Sequence, residues 1–441
     1  MNTNTTFTKR LQRALIVLER AKADWLALSI APSSFSQLCR AYILTSETLN
    51  ETNPDTLLQD SRLVAGSWQI LAVTAISFTG LAMFFIVLSV FALRLVSRCF
   101  AITPHGRQQG SAIDLFSLIQ YVYLVPLSLL ATVANFSGLI DITTMPLLAD
   151  IFLIIWRFCA CFGAIASIAA LPIYIRCSKQ DGIFQHQHQI APWFLLCIPS
   201  IVAASTASEL ATILPNEQAS GVLSLGYMLW GSSVVPGLVF TMIFVKARLA
   251  LPRQPNVHHL ILPLSLLSQT ALGIMTLGIQ SQRIWADTKG PATAPLLLGE
   301  MAIAAGALLG VILWASAAAW FVSAHLAILL RTTSPRNMLR KMILLVTTRI
   351  VAFPMASFAM ATAALARIWH SMVALALTKV LLVYVGVILT GIYAAMIWSV
   401  CSFIIGLVVC RKQMSAEEPD ELCSEHAQIN NRTVSSSYGS I

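Results

Sequence analysis

Nine stretches of this chain are apolar over lengths that cross a bilayer, near 68–93, 115–135, 147–175, 191–214, 220–245, 259–280, 296–330, 342–366 and 372–409. Such a run can hide its backbone polar groups in hydrocarbon only by forming a helix, which closes its hydrogen bonds within itself. A tenth stretch, 24–44, is weaker: Trp25-Leu26-Ala27-Leu28-Ser29-Ile30-Ala31-Pro32 is followed by Ser33, Ser34, Phe35 and Ser36. Hydrophobic residues make up 57% of the chain and charged ones 11%, where a soluble domain carries about 25% charged. The expected fold class is therefore an all-α polytopic membrane protein.

Loop charge settles the number of spans. With 24–44 counted, one side of the membrane collects Lys9, Arg10, Arg13, Arg20 and Lys22, then Arg94, Arg98 and Arg107, then Arg176 and Lys179. It goes on to collect Lys246, Arg248 and Arg253, then Arg331, Arg336, Arg340 and Lys341, and finally Arg411 and Lys412. The other side holds Arg40, Arg62, Arg283, Lys289 and Arg367, diluted by Glu47, Glu51, Asp55, Asp60, Glu217 and Asp287. The positive-inside rule then gives ten spans with both termini cytoplasmic. The net charge of +9 is thus topology charge in short loops, and no nucleic-acid partner is expected. The chain divides into a cytoplasmic segment 1–23, a transmembrane domain 24–410 and an acidic, Ser-rich tail 411–441 that reads as disordered. Ser435, Ser436 and Ser437 are candidate phosphorylation sites, or else part of an unregulated solvated tail. The sequon Asn50-Glu51-Thr52 falls in an outside loop, which makes Asn50 a glycosylation candidate. Asn431-Arg432-Thr433 lies in the cytoplasmic tail. No cleavable signal peptide is visible.

Every odd-numbered segment carries a proline, Pro32, Pro126, Pro199, Pro263 and Pro354 in turn. Among even segments only Pro236 and the end-placed Pro172 break the rule. A proline inside a helix removes a hydrogen bond and kinks it, and the freed carbonyl needs protein or a water-filled cavity over it. The odd segments are also the polar ones. Gln120, Ser128 and Asn135 lie on the third, Ser200, Ser205, Thr206 and Ser208 on the fifth, Ser265, Ser268 and Gln269 on the seventh, and Ser357 and Thr362 on the ninth. Such groups either line an aqueous path or glue helices together. Found on the same helices as the prolines, they point to kinked inner helices around a pathway, with straighter even helices facing lipid. Gly306-Ala307-Leu308-Leu309-Gly310 on the eighth segment is a helix-packing pattern.

Three cations lie at membrane depth, Arg157, Arg349 and Lys379. Each costs about 2.5–3.5 kcal/mol to insert on translocon scales. Arg349 precedes Phe353 by one helical turn on the ninth segment, so both project from one face. A cation there would draw anions from the cytoplasmic side, unless it snorkels or pairs with a neighbour. Lys379 reads as a snorkelling residue, Arg157 as the partner of another helix, and Glu209 and Glu300 as interfacial. The nine cysteines, scattered without a CxxC pair, read as small core hydrophobes. His186, His188, His258 and His259 are loop histidines. No Walker A, GxSxG, HExxH or dinucleotide pattern occurs, so neither a nucleotide-driven pump, an enzyme, a metal site nor a bound cofactor is expected.

Several local patterns carry a resemblance. They are Ala191-Pro192-Trp193-Phe194-Leu195 followed by Ile198-Pro199-Ser200-Ile201-Val202-Ala203-Ala204-Ser205, then Gly226-Tyr227-Met228-Leu229-Trp230-Gly231, and Ala352-Phe353-Pro354-Met355 with Ala361-Thr362. In order, spacing and span they resemble the tellurite-resistance/dicarboxylate transporter family. That family includes fungal sulfite efflux pumps, fungal malate transporters and the slow anion channels of plant guard cells. The resemblance runs from about 24 to 409. It implies five helical hairpins around a central pore, commonly a homotrimer, with the ring of Phe353 as the pore gate. Two places depart from the family pattern. Leu262-Pro263-Leu264-Ser265-Leu266-Leu267-Ser268-Gln269 lacks the family's glycines, and Ala31-Pro32-Ser33 replaces Gly-x-Gly. Both put a side chain where a glycine permits close approach.

The expectation that follows is a plasma-membrane transporter of small anions, most directly sulfite efflux, through a pore lined by Gln120, Ser205 and Gln269 at the five prolines. Arg349 attracts the anion and Phe353 acts as the barrier. A malate-type dicarboxylate carrier and a membrane receptor or sensor are the alternatives. The negative-inside potential favours anion exit by about 2.3 kcal/mol per charge per 100 mV, so no energy-coupling domain is needed.

Overall fold

The computed structural model describes residues 24–50, 72–82, 84–85, 88–89, 125–138, 146–180, 191–249, 260–286, 293–330, 349–388 and 390–391. Gln120, the segment 1–23 and the tail 411–441 lie outside them. The chain divides into the units Met1–Leu389 and Thr390–Ile441, and the second contributes only residues 390–391 to the described ones. Everything below concerns the first.

Among the described residues there is helix and no strand. Helix occurs in each of the ten apolar stretches. We number these helices α1 (Asp24–Asn50), α2 (Ala72–Ala82), α3 (Val125–Ser137), α4 (Pro146–Gln180), α5 (Ala191–Ala211), α6 (Asn216–Leu249), α7 (Leu262–Ala286), α8 (Thr293–Leu330), α9 (Arg349–Trp369) and α10 (Met372–Ile388). Of these, α4, α6, α7, α8 and α9 are long and apolar enough to cross a membrane by length and composition. The sequon residue Asn50 is the last residue of α1 rather than part of a loop.

Burial separates odd from even. In the most apolar eighteen-residue window, 78% of α7 and 72% of α9 is buried, against 44% of α4, 33% of α6 and 17% of α8. The reason is visible in the side chains. The even helices turn large apolar residues outward, among them Phe158 and Ile165 on α4, Met228 and Met242 on α6, Leu308 on α8 and Val373 on α10. The odd helices bury small and polar ones, such as Ser200 and Ala203 on α5 and Ser268 on α7. An outward apolar face costs nothing in acyl chains, whereas a serine needs a protein partner there.

Glycines and tryptophans fasten the layers together. A Cβ at Gly306 of α8 would lie 2.7 Å from the Ile274 carbonyl oxygen of α7, so the GxxxG stretch is a backbone contact. Trp156 Nε1 of α4 donates to the Ala203 carbonyl of α5 at 2.8 Å. Trp230 Nε1 of α6 donates to the Thr270 carbonyl of α7 at 2.9 Å, and Tyr227 shares a 3.2 Å hydrogen bond with Ser281 of α7. Trp314 Nε1 of α8 donates to Thr362 Oγ1 of α9 at 2.9 Å. The tyrosine, tryptophan and threonine of the family-like motifs thus join neighbouring helices. At Ala31-Pro32-Ser33 the close approach is kept by the other partner. Gly80 of α2 faces Ser33, whose Oγ would be 2.6 Å from a Cβ there.

Three local features depart from what the sequence leads one to expect. Pro263 stands in the first turn of α7, after residues 260–261 in a tighter 3₁₀ turn. A first-turn proline lacks an N–H that would have no intrahelical partner anyway, so it starts the helix and does not kink it. Pro32, Pro199 and Pro354 do lie inside α1, α5 and α9. Pro126 is the second described residue of α3. Arg157 is exposed on α4, and among the described residues no hydrogen bond or ion pair from another helix reaches it. Cys159 and Cys197 are buried, whereas Cys161 is exposed on α4 and is not a core residue.

The link from α9 to α10 is two residues long. His370 sits at φ 47°, the left-handed region, and the Ser371 N–H donates to the Ala366 carbonyl at 3.1 Å. That bond closes a Schellman turn. Ser371 then caps α10, its Oγ accepting from the Ala374 N–H at 3.3 Å.

Candidate functional site

Between the odd helices lies a cavity of about 110 Å³, several times what one water needs. All five odd helices line it, and among the described residues no even helix does. α1 contributes Ser34, Gln37, Arg40, Ala41 and Thr45, and α3 contributes Leu127, Ala131 and Ala134. α5 contributes Val202, Ser205, Thr206 and Glu209, and α7 contributes Gln269, Leu272, Thr276 and Ile279. α9 contributes Phe353, Met360, Ala364 and Arg367. Within each helix the lining residues recur mostly three or four apart, which is one face of a helix.

α1 and α3 run parallel beside this space. Gln37 Nε2 of α1 donates to the Ala131 carbonyl of α3 at 3.0 Å, and one turn further on Arg40 Nη1 donates to the Ala134 carbonyl at 3.4 Å. Advancing together on both helices, the two pairs fix a parallel register. Late residues also meet across the cavity. Arg40 Nη2 forms an ion pair with Glu209 Oε2 of α5, and Arg367 near the end of α9 lines the same cavity.

Of the residues singled out by sequence, Phe353, Ser205 and Gln269 line the cavity. Phe353 is half-buried, immediately before Pro354. Gln269 Nε2 donates to Ser205 Oγ at 2.9 Å, while the buried Gln269 Oε1 has no hydrogen-bond partner among the described residues. None of the five prolines lines the cavity; all five are buried within the helix packing. Arg349 opens α9, and its side chain lies outside the described residues, as does Gln120.

The hydroxyl groups are arranged differently from a hydroxyl-lined path. Ser205 and Thr206 both donate to the Val202 carbonyl, at 2.9 and 2.8 Å, and Thr276 donates to the Leu272 carbonyl at 2.9 Å. Their protons are committed to their own helices, the usual back-bonding of serine and threonine. What they turn to the cavity is oxygen lone pairs, which do not attract anions.

The charged residues here are ones the sequence reading set elsewhere. Arg40 and Arg367 count there as outside-loop charges and Glu209 as an interfacial one, yet all three line the cavity. The available signal was position: Arg40 lies within the weak first span, where its stem cannot reach water without crossing the next turns of the helix. Arg40 is firmly held, its side chain 8% exposed against 33% for Glu209. A Cβ added to Gly138, at the end of α3, would overlap the Arg40 guanidinium.

The voltage-dependent anion channel family model, SLAC1, matches residues 115–403. Among individual proteins, the chain is similar to the sulfite efflux pump SSU1 of Arthroderma otae, 32% identical over 135 residues, which are 30% of this chain and 35% of that protein. The sulfite efflux pumps SSU1 of Arthroderma benhamiae and Trichophyton rubrum are each 30% identical over 135 residues, with the same shares. The matched part thus spans about a third of the length of these curated relatives.

Proposed function

The chain belongs to the SLAC1 voltage-dependent anion channel family, and from that premise we propose that it exports small anions, sulfite foremost, across the plasma membrane. The route is the cavity between α1, α3, α5, α7 and α9, and the observation that carries the reading is that all five odd helices, and among the described residues no even one, line this cavity. Phe353 is the gate, a half-buried ring on the cavity wall. Arg349, one turn before it, draws anions toward the cytoplasmic mouth. The three motif regions that the sequence shares with the family join adjacent helices, so they keep the ring of helices closed.

Charge favours a singly charged substrate over malate. Among the described residues two arginines and one glutamate line the cavity, which leaves one net positive charge among them. Hydrogensulfite carries one negative charge and malate two, so malate would bring a charge without a counterion into a low-dielectric space.

The test is flux. The chain is expressed in sulfite-sensitive cells, and intracellular sulfite and malate are measured separately. Sulfite accumulation is expected to fall while malate is unchanged. A fall in malate alone would make the chain a dicarboxylate carrier, and no change in either would favour a receptor.

A further inference from the structure

We propose that Arg40 and Arg367 form a binding site for a small singly charged oxyanion at the end of the cavity where the odd helices finish, and that the Glu209 carboxylate fills this site when no anion is bound. The inference rests on the anion-transport reading and adds to it a site and an internal competitor.

The end of the cavity needs cations for a physical reason. Parallel helices bring their carbonyl ends together, and each such end carries roughly half a negative charge. Bare, this end would repel an anion. Arg40 and Arg367 line the cavity there, Arg367 in the final turn of α9, and Arg283 lies in the final turn of α7. Among the described lining residues only Arg40, Glu209 and Arg367 are charged. The nearby hydroxyls of Ser205, Thr206 and Thr276 have committed their protons to carbonyls of their own helices. Strong donation to an anion therefore falls to the two guanidinium groups.

One partner of the ion pair is fixed and the other is free to leave. Arg40 is nearly buried, bonded to the Ala134 carbonyl and pressed against Gly138. Glu209 has a third of its side chain exposed on the cavity wall. A carboxylate and a small oxyanion offer the same pair of oxygens to an arginine fork. An arriving anion takes the Arg40 Nη2 bond from Glu209, and Arg367 neutralises the second negative charge. Bonds to Arg40 are conserved in the exchange, so the anion is held without a deep well that would stop its release.

The experiment uses the purified full-length chain. Sulfite binding is read as the concentration of sodium sulfite that gives half-maximal thermal stabilisation, with nitrate as a second oxyanion. Sulfite flux is read in proteoliposomes. Glu209→Gln keeps the shape and removes the competitor, and we expect about tenfold tighter sulfite and nitrate binding. Arg367→Gln weakens binding about tenfold. Arg40→Gln alone strands a carboxylate, so the double variant Arg40→Gln/Glu209→Gln serves in its place, and it loses sulfite binding while folding. Wild-type affinity in Glu209→Gln, or sulfite binding retained in the double variant, overturns the site. Binding that follows these variants while wild-type vesicles pass no sulfite overturns the transport reading and leaves the site standing.

Discussion

Gly138 and Arg40 share one volume: the guanidinium of Arg40 lies where any side chain at position 138 would begin. A residue at the end of α3 therefore decides where a cation on α1 points, and the cation in turn holds Glu209 of α5. Three odd helices are coordinated through one missing methyl group.

Gly138→Ala is expected to push the guanidinium off its place, break the Arg40–Glu209 pair and cost about 1–3 kcal/mol of stability, the usual penalty for overpacking. Sulfite binding should weaken in parallel. Thermal unfolding in detergent with and without sulfite measures both. An unchanged midpoint together with unchanged affinity would show that Arg40 has another resting place.

Phe353→Ala removes a half-buried ring from the cavity wall. The expected outcome is a raised basal anion current at unchanged surface expression, recorded in voltage-clamped cells. A current equal to wild type would take Phe353 out of the gate role.

Gly306→Ala puts a methyl carbon 2.7 Å from the Ile274 carbonyl oxygen. Backbone cannot swing aside as a flexible side chain can, so α7 and α8 must part, at a cost of about 1–3 kcal/mol. Gly221→Ala on α6 is the control, since its Cβ would meet nothing within 4 Å. The prediction is a lowered unfolding midpoint for the first and none for the second.

His370→Gly should stabilise the chain. A non-glycine residue in the left-handed region costs about 1–2 kcal/mol, while glycine adds about 0.5–1 kcal/mol of chain entropy to lose on folding. The difference leaves a net gain of up to about 1.5 kcal/mol. A lowered midpoint in thermal unfolding would mean that the imidazole makes a contribution larger than the backbone strain.

Much of this protein can be read along the chain. A run such as 296–330 has no option in lipid but to be a helix, and α8 spans Thr293–Leu330. The serines and threonines of the fifth and seventh segments have to be buried, and Ser200, Thr206 and Ser268 are. Ser205 and Gln269 could be picked out because a polar residue on a helix face that must find a protein neighbour is visible along the chain. Those conclusions rest on hydrogen-bond closure and on the period of the helix, both local properties, whereas Phe353 stood out only through the resemblance to the family.

Partnership between helices is not local, and only the tertiary structure decides it. Arg40 and Glu209 are 169 positions apart in the chain, and nothing in the residues around either distinguishes an interfacial charge from a cavity charge. Whether Pro263 bends a helix or begins one depends on where the first hydrogen-bonded turn closes. Whether Ser205 offers a proton to the cavity or to Val202 depends on a rotamer. A charge in a membrane protein takes its meaning from what stands across the gap, and the packing of α1, α3, α5, α7 and α9 determines which groups those are.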